Sequence, residues 1–182
     1  ASAQNVLWED FRGLDNVPGD GVYVGTPGAP KFQNFPNSGA MAPFRVLAAN
    51  PADAARSGSS PNIDFLGSNA SASALCNNGA SGSQACLHQA QGRVLHALIQ
   101  FPEAGAYTLR AAHDDNLVVE FSTDYTNTSF RSASYDIPVG ALSEWTANEN
   151  TFATIGTFTA ANAGSCALIR VFWTNQAGIN HN

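Results

Sequence analysis

Apolar and polar positions alternate in short runs along this chain and almost nowhere recur with helical spacing, which predicts strands rather than helices. The run ALIRVFWTN is the clearest case: Ile169, Val171 and Trp173 share one parity while Arg170 and Phe172 share the other, so one side should pack inward. Strand candidates of this kind fall at 6–11, 21–24, 43–47, 93–101, 106–113, 117–122, 128–132, 151–158 and 167–174. Clusters of Gly, Pro, Asn and Ser separate them, and Pro102 and Gly105 supply the turn between the fourth and fifth. A short helical turn is expected only within 139–145. The expected fold class is therefore all-β, an antiparallel, jelly-roll-like β-sandwich.

From 51 to 92 the composition shifts to Ala, Ser, Gly and Asn, with Ile63, Phe65 and Leu66 as its only strong apolar cluster. This stretch reads as a loop-rich insertion on one domain spanning 1–182. Cys76 and Cys86 bracket a polar segment that cannot bury its own backbone, and a disulfide between them would staple that loop. Cys166 is left over, either as a buried free thiol opening a strand or as the partner of a cysteine elsewhere.

Charged residues make up 12% of the chain and the net charge is −6, with seven arginines scattered among loops and strands. No basic patch is apparent, so nucleic acid is excluded as a partner. No run approaches the roughly 18 to 20 apolar residues needed to span a bilayer, and membrane insertion is not expected. The chain starts at Ala1 without an initiator Met, which suits a mature protein whose leader was removed or an excised fragment. Both histories fit an extracellular or cell-surface location. Asn69 and Asn127 sit in glycosylation sequons.

The most informative chemistry is His113, Asp114, Asp115 and Asn116 at a strand tip. Successive side chains of a regular strand point to opposite faces, so adjacent carboxylates reach one ion only if the backbone leaves strand geometry. Calcium suits such a pair, because it accepts six to eight oxygens from carboxylates, amides, carbonyls and water in loose geometry. On the dipeptide alone an ordinary hairpin turn explains the same residues, since Asp and Asn tolerate left-handed backbone.

The run GRVLHALIQFPEAGAYTLRAAHDDNLVVEF resembles the heart of the anthrax protective-antigen-type sugar-binding domain family, which includes the lectin domains of yeast flocculins and epithelial adhesins and domains of bacterial surface adhesins. The matching features are Phe101 and Pro102 ending a strand, the Gly105-Ala106-Tyr107 start of the next, and then Asp114 and Asp115. A second run, CALIRVFWTNQAGIN, is similar to the late strand of the yeast lectins. The resemblance implies that Asp114 and Asp115 bind calcium, that Asn175 adds its amide oxygen, and that carbonyls around Ala177 and Ile179 complete the protein ligands. It further implies a cell-surface glycan or polysaccharide as partner, with sugar hydroxyls on the ion, in an adhesin built from this monomeric domain and others. The strand that closes the sandwich is expected either from 6–11 or from sequence outside this chain.

Trp145 is a candidate for stacking on a sugar face, and Asn77, Asn78 and Gln176 for hydrogen bonds to it; Trp8 and Trp173 are expected in the core. His88, His96, His113 and His181 lack zinc spacing, no GxSxG elbow is present, and nothing pairs Glu103 with Glu120 as a glycosidase would need. No enzymatic activity is expected. Two alternatives to a calcium-dependent lectin are a structural or protein-binding tip module of a surface fibre or pilus with a structural calcium, and an accessory module of a glycosidase.

Overall fold

The structure is a computed structural model and describes residues 6–11, 41–54, 56–61, 91–112, 116–124, 130–142 and 152–175. Its strands are β1 (Val6–Phe11), β2 (Arg56–Ser60), β3 (Gln91–Gln100), β4 (Gly105–Ala111), β5 (Asn116–Ser122), β6 (Ile137–Leu142), β7 (Ala153–Ala160) and β8 (Cys166–Asn175). Among the described residues these form a six-stranded sheet in the order β2-β1-β3-β8-β5-β6 and a two-stranded sheet of β4 and β7. Every pairing is antiparallel. The fold class is the expected all-β sandwich.

Alternation decides which face meets which. On the inner face Leu95 and Ala97 of β3, Leu117, Val119 and Phe121 of β5, and Ile169, Val171 and Trp173 of β8 are buried against Phe158 and Ala160 of β7. Three rings hold the centre, with Phe158 at 4.9 Å from Phe101 and 4.5 Å from Phe121 between centroids. Burial of each such side chain contributes roughly 1.5–3 kcal/mol. Trp173 is in the core as expected, whereas Trp8 is half-buried, with the Arg93 guanidinium 4.7 Å over its ring.

The sheets also touch at their margins, where β6 crosses β7. The β5–β6 register skips Val139 and the β4–β7 register skips Ile155, a bulge on each strand. There Gly140 lies against the Ile155 carbonyl and Gly156 against the Val139 carbonyl, with no room for a Cβ at either position.

Several expectations are corrected. Residues 43–47, expected as a strand, belong to an α-helix, α1 (Met41–Ala48). A short apolar run bears either reading; here Phe44 and Ala48, four apart, turn to one buried face while Val46 is exposed, and Pro43 falls in the first turn where its missing N–H costs nothing. The expected helical turn at 139–145 is strand β6 as far as Leu142, since Ile137 and Val139 alternate into the core cluster. Of the strand expected at 128–132, residues 130–132 form a turn. Within 51–92 the described residues include β2, which pairs along β1, and the start of β3. The second parity of β8 is covered too, because Phe44 of α1 packs edge-on to Phe172 at 6.0 Å and to Phe11 at 5.6 Å.

The strand expected at 21–24 and the Cys76–Cys86 disulfide lie outside the described residues. Cys166 opens β8 as a free, half-buried thiol. Val6–Phe11 does enter the sheet, between β2 and β3.

Candidate functional site

The sequence points to the end of the sheet where β5 begins and β8 finishes. Asn116 pairs with Thr174, and Asn175 pairs with Gln91 of β3. Directly opposed residues in antiparallel strands have Cα atoms about 4.5–5.5 Å apart. The residue after the Asp pair and the residue before Asn175 are therefore neighbours in space although 58 positions apart in sequence, from 116 to 174. Asp114, Asp115, Gln176, Ala177, Ile179, Trp145, Asn77 and Asn78 lie outside the described residues, as does the side chain of Asn175. Among the described residues no group of three or more His, Cys, Asp or Glu side chains could hold a metal.

A second constellation, on the outer face of the large sheet, has no signature in the sequence. Arg45 of α1, Arg170 of β8 and Arg131 of the 130–136 segment converge on one cavity of ≈ 250 Å³, walled by Val94, Phe172 and the Ala48–Ala49 end of α1, with His96 in its lining. Three of the seven arginines scattered along the sequence are thus gathered by the fold. β3 and β8 set His96 opposite Arg170, and β5 and β8 set Glu120 opposite Arg170, so three polar side chains lie side by side across the strands.

Glu120, buried, is the hub of this array. Arg170 gives it two hydrogen bonds, Nε to Oε2 at 3.0 Å and Nη2 to Oε2 at 2.6 Å, and Arg45 Nη2 binds its other oxygen. Arg170 also stacks over Tyr135 at 4.0 Å. Arg131 is held separately: Nε and Nη2 bind the Glu9 carboxylate, and Nη1 donates to the carbonyls of Ala48 at 3.0 Å and Ala49 at 3.4 Å, closing the C-terminal end of α1. Glu103 lies in the β3–β4 turn, where its backbone N–H donates to the Tyr107 hydroxyl and its carbonyl accepts from it.

His96 is held down from 6.5 to about 4, first by burial and then by the charges of Arg131 and Arg170. Burial pushes the Tyr135 hydroxyl up to about 12, with Arg170 opposing and Glu120 adding to the rise. Because the folded protein keeps His96 neutral where the unfolded chain protonates it, the contribution of this residue to stability is full above about pH 6.5, falls as the pH drops toward 4, and changes no further below that. The expected loss is about 3 kcal/mol, since each pH unit separating the folded and unfolded titrations is worth about 1.4 kcal/mol. Urea titrations at pH 7, 5.5 and 4 should show the midpoint falling; His96→Gln should flatten the part of the slope due to this residue, and an equal slope in both proteins would refute the assignment.

The fold is similar to the β-sandwich of PA14-type and epithelial-adhesin domains, in line with the resemblance of 93–182. The PA14 sugar-binding domain from an RTX adhesin superposes with a TM-score of 0.53 at 16% identity, over 97% of this chain and 85% of that one. The epithelial adhesin 9 A domain from Candida glabrata, solved in complex with Galb1-4GlcNAc, superposes with a TM-score of 0.50 at 13% identity, over 94% of this chain and 76% of that one. The PA14 domain of MpAFP antifreeze protein aligns over 48% of this chain and 38% of its own length, at 20% identity and a TM-score of 0.35. No protein-family model matches the sequence, and no curated protein matches it.

Proposed function

We propose that this chain is a calcium-dependent carbohydrate-binding domain of a cell-surface adhesin, with Asp114, Asp115 and Asn175 as the side-chain ligands of the ion. One observation carries the reading: on a fold similar to that of sugar-binding adhesin domains, Asn116 and Thr174 are cross-strand partners, so the sequences bearing the three candidate ligands continue from adjacent strand ends. The donor chemistry fits a hard cation, since two carboxylates and an amide, joined by the carbonyls of Ala177 and Ile179, are all oxygens. They leave about two of calcium's six to eight positions free. When bound, the ion offers those positions to vicinal sugar hydroxyls in place of water. Around it Gln176, Asn77 and Asn78 would hydrogen-bond the sugar and Trp145 would stack on its face.

The role is binding rather than catalysis, in keeping with Glu120 being occupied by two arginines. An extracellular setting suits a glycan partner, and no helix among the described residues is long and apolar enough to cross a membrane. A glycan array probed with calcium and again with excess chelator tests the reading. Binding should vanish in chelator and return with calcium, and Asp114→Ala should bind nothing under either condition. Binding that persists unchanged in chelator sinks the mechanism; a chelator effect on melting temperature with no glycan bound at all would favour a structural calcium instead.

A further inference from the structure

Among the described residues the outer-face cavity brings together more positive than negative charge, in a protein of net charge −6. Its three guanidinium groups face two carboxylates, and the sharing is unequal. Arg131 commits its donors to Glu9 and to the end of α1. Arg45 and Arg170 divide the single carboxylate of Glu120, which leaves Arg45 Nε and Nη1 and Arg170 Nη1 without a protein acceptor among the described residues. A guanidinium with free N–H groups beside apolar walls presents the planar donor edge that matches oxyanions.

We propose that this cavity binds one small oxyanion, a carboxylate or a sulfate ester, through Arg45 and Arg170, with Val94, Phe172 and Ala49 against the group that carries it. Its volume, ≈ 250 Å³, limits the occupant to about one sugar unit or a free inorganic anion. His96 in the lining is held neutral mainly by burial, and the neighbouring charges that add to this are the cations Arg131 and Arg170. Glu120, buried between Arg45 and Arg170, serves as the fixed counter-charge that orients both guanidinium groups and leaves a surplus for the ligand. The site is independent of calcium, because none of its residues belongs to the candidate calcium ligands.

The test titrates the whole chain with sodium sulfate, sodium glucuronate or glucose at constant ionic strength, following melting temperature and the His96 imidazole by NMR. Both anions should give a saturable rise in melting temperature while glucose gives none, and the bound anion should lift His96 from about 4 by roughly one pH unit. Arg45→Gln should weaken the apparent affinity at least fivefold; its side chain is 37% exposed and Arg170 still holds Glu120, so the variant keeps the fold. Glucuronate bound far more tightly than sulfate identifies an acidic sugar as the source, and equal affinities identify a site for free anions. No saturable effect, an unchanged affinity in Arg45→Gln, an unmoved His96, or loss of anion binding in chelator would each overturn the proposal.

Discussion

Glu120→Ala is expected to cost about 3–5 kcal/mol, the usual consequence of removing one partner of a buried ion pair. The carboxylate is the sole acidic partner of Arg170 among the described residues, and the fold holds that arginine half-buried between Tyr135 and Phe172; it also anchors Arg45 on α1. Without it two guanidinium groups repel across the outer face, and α1 loses a polar tie to the sheet. At about 2–4 °C per kcal/mol for a domain of this size, the melting temperature should drop by roughly 6–20 °C. Arg45→Gln is the matched control, expected to cost less than about 1 kcal/mol because Arg45 is partly solvated. Urea unfolding with unchanged m values would measure both. A Glu120→Ala loss as small as that of Arg45→Gln would mean that the arginines simply turn out to water, and the hub role would be wrong.

Gly156→Val should be at least as damaging, by about 3 kcal/mol or more, because the added Cβ is driven into backbone rather than into a side chain that can move. The new atom would sit 2.9 Å from the Val139 carbonyl carbon and closer still to its oxygen, so β6 or β7 must shift and the two facing bulges must come apart. Gly140→Val should behave alike, since the contact is reciprocal. Gly105→Ala separates packing from backbone strain: φ is 135° there, but the space beside it is open, so only strain is felt, on the order of 1–3 kcal/mol. Soluble yield and thermal melts of the three variants suffice. A Gly156→Val protein that melts with the wild type would show that the two strands do not approach as described.

What the sequence decided by itself is whatever is written in local pattern. β1, β5 and β8 lie within one residue of the expected bounds at each end because their parity is unambiguous, and the turn at Pro102 and Gly105 carries its own backbone chemistry. The Asp114-Asp115 pair is different, because residue type alone suits both a hairpin turn and a hard-cation site. Short apolar runs are less legible: 43–47 and 139–145 exchange their expected helix and strand, because four or five apolar residues fit either period until something packs on them. Phe44 is helical where the outer face offers Phe11 and Phe172, and Val139 is extended where β5 offers a free edge.

Only the tertiary structure could decide proximity between distant residues. Antiparallel registers with long loops between their strands set Asn116 beside Thr174 and Glu120 beside Arg170. Neither pairing has any local signature, since the separation is 50 residues or more. The same holds for the arginine cavity, whose side chains come from a helix, a strand and a turn that share no sequence pattern. Charge counted along a chain says nothing of charge density in space, which depends on how the sheet folds its outer face under α1.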